Sequence, residues 1–186
     1  MARPTLRVLT WNLFHGRARP PAGRDLFEEY AGCLAGWEWE VALLQEVPPW
    51  WCAPLAARCW ADQRRVLTSR NSLAALRRPI AVRRPDLIKS NGGGANAILV
   101  RHEPILTHRT ARVCLWPERR WVHAVALAGG AWLANLHTGP YVAQGVRSAE
   151  LLRVWSAAGP AVLGGDFNVP LGQLLSPLAV SYTHLT

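Results

Sequence analysis

The sequence predicts a layered α/β fold built around one core, on three observations. Short apolar segments alternate with amphipathic helical segments along the whole chain. Several apolar segments follow one another across a turn, as antiparallel strands do. The 186 residues, half of them hydrophobic, suffice for one domain and little more.

Leu6 to Trp11 reads as the first strand, and a polar loop rich in Pro and Gly follows from His15 to Arg24. Asp25 to Trp37 reads as a helix, because Leu26, Tyr30, Cys33, Leu34 and Trp37 fall on one face. Asp25, Glu28 and Glu29 suit the positive end of its dipole. Val41 to Glu46 is an apolar run that ends in a carboxylate, the pattern of a strand buried on both faces. Pro48 and Pro49 open a second helix to about Trp60, and Arg65 to Thr68 is a short strand. Residues 70–90 are rich in arginine, and Pro79 and Pro85 are expected to break any long helix there. Ala95 to Arg101, Thr110 to Leu115, Arg120 to Leu127 and Ala131 to Leu136 are strands, the last two joined at Gly129-Gly130. Gln144 to Ala157 is a helix with Val146, Ala149, Leu152 (or Leu151) and Trp155 on its apolar face, and Pro160 to Gly165 is a further buried strand.

The net charge is +9 and the pI is near 10.6, which favours polyanionic partners. Lys89 is the only lysine; the remaining cations are arginines, whose forks match phosphate. No apolar run reaches a membrane-spanning length of roughly 18 residues. The N-terminus shows no apolar signal-peptide region. A cytoplasmic protein without stable membrane association is expected, and no obligate protein partner is indicated. Cys33, Cys52, Cys59 and Cys114 form no metal-binding spacing and are expected to be reduced.

The chain has only twelve acidic residues, and two of them, Glu46 and Asp166, close its most apolar strands. A carboxylate in such a place is costly unless it is paired, hydrogen-bonded or bound to metal. Asn12 follows the first strand, and Asn135 and His137 close another. Singly, each residue has an ordinary structural use: a turn for the asparagines, a helix cap for Glu46, an Asx-turn for Asp166, a hydrogen bond for His137. Strand ends on one edge of a sheet can also converge on one site, and the joint occurrence of these residues points to an active centre.

Thr10-Trp11-Asn12, Leu44-Gln45-Glu46-Val47, Asn96-Ala97-Ile98-Leu99, Asn135-Leu136-His137-Thr138 and Gly164-Gly165-Asp166-Phe167-Asn168 together resemble, in order, the motifs of the endonuclease/exonuclease/phosphatase family. The resemblance implies a DNase I-like sandwich of two sheets flanked by helices. It implies a Mg²⁺ ion, with Mn²⁺ as a substitute, held by Glu46 with support from Asn12. It gives Asp166 the attacking water, His137 and Asn168 the phosphate, and Arg101 and Asn135 a share in phosphate binding. Arg77, Arg78, Arg83 and Arg84 are candidates for a phosphate-tracking surface.

The family's closing Ser-Asp-His motif has no counterpart after Asn168, and His184 follows Thr183 instead of Asp. The domain is therefore expected to occupy residues 1–178 and to be incomplete at its C-terminus. Residues 179–186 are expected to form a non-native or disordered tail. Three functions stay open on the residues alone: a nuclease-like phosphodiesterase acting on nucleic acid, a phosphatase or phospholipase-like enzyme for a small or lipid phosphate, and a non-catalytic binding module. Trp50 and Trp51, beside Glu46, are candidates for substrate contact.

Overall fold

The apolar segments form strands in two stacked sheets. The computed structural model describes residues 5–68, 71–157, 159–170 and 172–174. The first sheet holds β1 (Val8–Asn12), β2 (Val41–Val47), β3 (Asp62–Leu67) and β4 (Ala95–Val100), in the order β1-β2-β4-β3. The second holds β5 (Ile105–Cys114), β6 (Arg120–Leu127), β7 (Trp132–His137) and β8 (Ala161–Asp166), in chain order. β1 is parallel to β2 and β7 to β8; the other neighbours are antiparallel. The helices are α1 (Phe27–Gly36), α2 (Cys52–Arg58), α3 (Ala74–Arg83), α4 (Pro85–Ile88) and α5 (Val142–Ser156).

Alternation along the strands divides the core into three layers. Val41, Leu43, Ile98 and Val100 meet Val125, Leu127 and Leu133 between the sheets. On the outer face of the first sheet, Ala42, Leu44, Ala97 and Leu99 pack against Leu34 of α1 and Leu55 of α2. On the outer face of the second, Val122, Ala124, Ala134 and Leu136 pack against Leu152 of α5. β2 and β4 are buried along almost their whole length because both of their faces are covered.

Some local expectations are corrected. α3 runs through Pro79, and the break falls at Arg84, before Pro85. β5 begins at Ile105, five residues before the expected start, because its partly exposed edge carries polar residues that hide the pattern. Cys33 points outward, and Ala31 takes the inward position with Leu34. All four cysteines are free thiols, and burial pushes the Cys52 thiol up to about 11. No helix among the described residues is long and apolar enough to cross a membrane. The expected tail at 179–186 lies outside the described residues.

Asn135, expected to share in phosphate binding, is not placed to reach a phosphate. It is fully buried and ties the two sheets together. Its Nδ2 donates to Leu44 O and Ala97 O, each at 2.9 Å, and its Oδ1 accepts from Gln45 Nε2 at 2.8 Å. Two strands of the first sheet are thus held by one side chain of the second. Asn135→Leu leaves Gln45 and two buried carbonyls without this partner, at about 1–3 kcal/mol for each orphaned group. A drop in unfolding free energy of at least about 2 kcal/mol is expected in urea titrations.

Candidate active site

The parallel pairs carry the site. β1, β2, β7 and β8 all finish at the same end of the sandwich, so their last residues meet there. Alternation turns Asn12, His137 and Asp166 toward the space between the sheets. Glu46 has the wrong parity, since Ala42 and Leu44 face the helices. An irregularity in the pairing of β2 with β4 between Leu44 and Val47 corrects this, and Glu46 takes a left-handed φ of 50°. Val47 then returns to the helix side, so the parity of the strand has flipped by one residue. The distortion aims the carboxylate into the cleft.

Gly165 shows how closely the backbones approach beside Asp166. Its φ is +136°, and a Cβ would stand 2.0 Å from Leu136 O, so no other residue fits. The strand can therefore deliver Asp166 directly beside His137, its register partner on β7.

Asp166 is held from two sides. Asn12 Nδ2 donates to its Oδ2 at 2.9 Å, and the backbone N of Asn168 donates to its Oδ1 at 3.1 Å. Asn12 is fixed in turn, because its Oδ1 accepts from Phe14 N at 2.9 Å. Asn168 donates from Nδ2 to Thr138 O at 3.0 Å and sits at a left-handed φ of 50°. His137 Nε2 stands 3.8 Å from both Glu46 Oε1 and Asp166 Oδ2, too far for direct hydrogen bonds. Burial, and then Arg120, hold the His137 imidazole below its ordinary pKa, against the opposing pull of Glu46 and Asp166. The ring is accordingly neutral near pH 7.

Glu46, His137 and Asn168 open into a cavity of about 380 Å³, while Asn12 and Asp166 line a neighbouring cleft that shares Asn168. Thr138 lines the cavity as well, with Arg17 and Arg119 from two loops and Arg120 from the start of β6. Arg120 pairs with Glu118 at 2.6 Å, and Arg17 lies over the Phe14 ring, 4.0 Å from its centroid. For a hard cation the cavity offers the Glu46 carboxylate, and the neighbouring cleft offers the Asp166 carboxylate and the Asn12 carbonyl, which also accepts from Phe14 N. No cluster of three His, Cys, Asp or Glu side chains among the described residues forms a ready-made metal cage.

Arg101 is a correction. β4 runs antiparallel to β2, so the residue after its C-terminus lies at the edge away from Glu46. Its guanidinium stacks on Trp39, 3.7 Å from the ring centroid, and donates to Leu34 O, Ala35 O, Trp37 O and Cys59 O. It caps the carbonyl end of α1, where the helix dipole is negative. Trp51 is also core, 4% exposed, and Trp50 is partly buried against it. Arg78, Arg83 and Arg84 are exposed, and Arg77 donates to Asn91 O. The arginines that line the cavity, together with His15, carried no motif signal in the sequence. His15 Nε2 stands 3.2 Å from Glu46 Oε2, and only the proximity of a His-Gly pair to Asn12 hinted at it.

The two-sheet architecture is that of the endonuclease/exonuclease/phosphatase proteins. An endonuclease/exonuclease/phosphatase family protein from Bacteroides thetaiotaomicron superposes with a TM-score of 0.66 at 16% identity, over 95% of this chain and 67% of its own. A mannosyl-6-phosphatase of the same organism gives a TM-score of 0.65 at 16% identity, over 95% and 71%. ANGEL2, a 2′,3′-cyclic phosphatase solved with adenosine-2′,3′-vanadate, gives 0.64 at 15% identity, over 91% and 55%. No protein-family model matches the chain, and no curated protein matches it in sequence.

Proposed function

We propose that the protein is a metal-dependent phosphoesterase that hydrolyses phosphodiester bonds, with nucleic acid as the leading substrate. The observation that carries this reading is the convergence of Glu46, His137 and Asn168 on one arginine-lined cleft, with the Asp166 carboxylate 3.8 Å from His137 Nε2 beside it. The residues suit Mg²⁺, which asks for one or two protein oxygens and keeps several waters. Glu46 is the residue that would hold it, with Asn12 lending its second carbonyl lone pair. When bound, the ion would polarise a phosphoryl oxygen and ease departure of the leaving oxygen.

The side chains divide the remaining work. Asp166, immobilised by Asn12 and the Asn168 backbone, orients a water for attack and receives its proton. Neutral His137 reaches over the phosphate and stabilises the charge that builds on its oxygens. The basic cleft draws in a polyanion, in keeping with the net charge of +9. The nucleotide-derived ligand of ANGEL2 agrees with this choice. The mannosyl-6-phosphatase neighbour favours a second reading, a small phosphate monoester as substrate.

Mg²⁺-dependent nicking of supercoiled plasmid tests the proposal, with Glu46→Ala and Asp166→Ala as controls. Cleavage that needs the ion and both carboxylates is expected. A folded protein that spares plasmid and hydrolyses sugar phosphates would replace nucleic acid by the second reading. Inertness toward both would overturn the enzyme assignment.

A further inference from the structure

The segment Phe14–Gly16 places three consecutive residues in the left-handed region, with φ of 48°, 55° and 73°. For Phe14 and His15 this conformation costs on the order of 1–3 kcal/mol each and persists only where surroundings enforce it. They do so here. Leu13 N donates to Gln45 O at 2.8 Å, and a Cβ on Gly16 would meet the Trp51 ring at 2.6 Å. The strained turn fixes one imidazole, that of His15.

Both nitrogens of that ring are directed. Nδ1 is 3.2 Å from Gly93 O, and a carbonyl can only accept, so Nδ1 carries the hydrogen. Nε2 is 3.2 Å from Glu46 Oε2. Without a proton on Nε2 the ring turns its lone pair toward a carboxylate oxygen, so the contact is favourable only where a proton or a metal cation is shared between them. A histidine bound to metal through one nitrogen characteristically donates its other N–H to a carbonyl or carboxylate. Adjacent donors around one octahedral ion, each at about 2.1 Å, stand about 3 Å apart. The separation of His15 Nε2 and Glu46 Oε2 matches that spacing.

We infer that His15, through Nε2, is a second ligand of the divalent cation held by Glu46, and that it turns the site's preference from Mg²⁺ toward an imidazole-accepting cation such as Mn²⁺. The inference rests on the metal-dependent reading above. Carboxylate, carbonyl and water suit Mg²⁺, whereas imidazole favours transition metals. Two or three protein donors, with water completing the shell, need no closed cage.

Calorimetric titration with Mn²⁺ and with Mg²⁺ tests this, together with electron paramagnetic resonance of bound Mn²⁺. The proteins are wild type, His15→Ala, His15→Asn and Glu46→Gln. Asparagine tolerates the left-handed conformation, so His15→Asn preserves the turn if His15→Ala does not fold. Loss of the ring is expected to weaken Mn²⁺ about 10–100-fold, and Mg²⁺ far less. The nitrogen coupling from His15 in the Mn²⁺ spectrum is expected to vanish with it. Unchanged or tighter Mn²⁺ binding in both His15 variants would overturn the inference, and would identify the ring as an imidazolium paired with Glu46. Glu46→Gln separates the two levels. Its loss of both cations supports the underlying reading, and its indifference to both would overturn that reading as well.

Discussion

Asp166→Asn is expected to lower kcat by about 10²–10⁴-fold, the range that a positioned general base contributes. KM should change little, because the substitution keeps the shape of the side chain and leaves the arginine-lined cleft alone. The hydrogen-bond pattern explains why so small a change is costly. Asp166 accepts from Asn12 Nδ2 on one oxygen and from Asn168 N on the other. An amide presents one acceptor and one donor, so one of those two donors would face an NH₂ group. The new side chain can neither take a proton from water nor satisfy both partners. Asn12→Ala, which removes one of the two restraints, should lie between wild type and Asp166→Asn in kcat. Steady-state kinetics on a cleaved phosphodiester, with circular dichroism to confirm folding, read both effects. Wild-type kcat in a folded Asp166→Asn protein would remove Asp166 from the chemistry.

Much of the sandwich was legible in the sequence. β6 matches its expected bounds at Arg120–Leu127, and β2 and β4 announce themselves by the apolar stretches Val41–Leu44 and Ala97–Val100. Such runs encode burial on both faces, which is a property of the whole architecture. The direction of a strand is not encoded in the same way. Arg101 follows an apolar strand just as Asn12 and Glu46 do, yet β4 runs the other way and delivers it to the far edge, onto the end of α1. Asn135 shows a related blindness. A polar residue in an apolar strand signals a costly group with a partner, but only the stacking of the sheets shows that its partners are Gln45 and two main-chain carbonyls.

Glu46 was found by its position at a strand end, although simple alternation would have sent it to the helix side. The irregularity that rescues it has no signature in Leu44-Gln45-Glu46-Val47, because its cause lies in the pairing with β4. His15 was missed for a similar reason. A loop of Pro, Gly and Arg gives no periodicity, and the left-handed turn that aims the ring depends on Trp51 and Gly93, far off in sequence.

The second large effect is on stability in acid. His123 is fully buried between the sheets, and its Nδ1 lies 3.2 Å from His108 Nε2. Burial, and then the neighbouring His108, push its pKa down to about 3. His108 is lowered too, by burial first and then by Arg64. In the unfolded chain a histidine binds its proton near pH 6.5. Below that pH the unfolded chain holds a proton that the native protein does not, so the native state loses stability as pH falls, down to the native pKa of His123. Each pH unit costs about 1.4 kcal/mol for this one group, so lowering the pH from 6.5 to 4.5 should cost about 2–3 kcal/mol. His123→Leu removes the group and places an aliphatic side chain beside the layer of Val125 and Leu133, where it fits the surrounding chemistry. The variant's unfolding free energy should depend on pH less steeply than that of wild type, by nearly one proton, over this window. Urea titrations at half-unit pH steps measure the two slopes. Equal slopes would mean that His123 is protonated in the native protein, and that the space between the sheets holds a charge its apolar lining argues against.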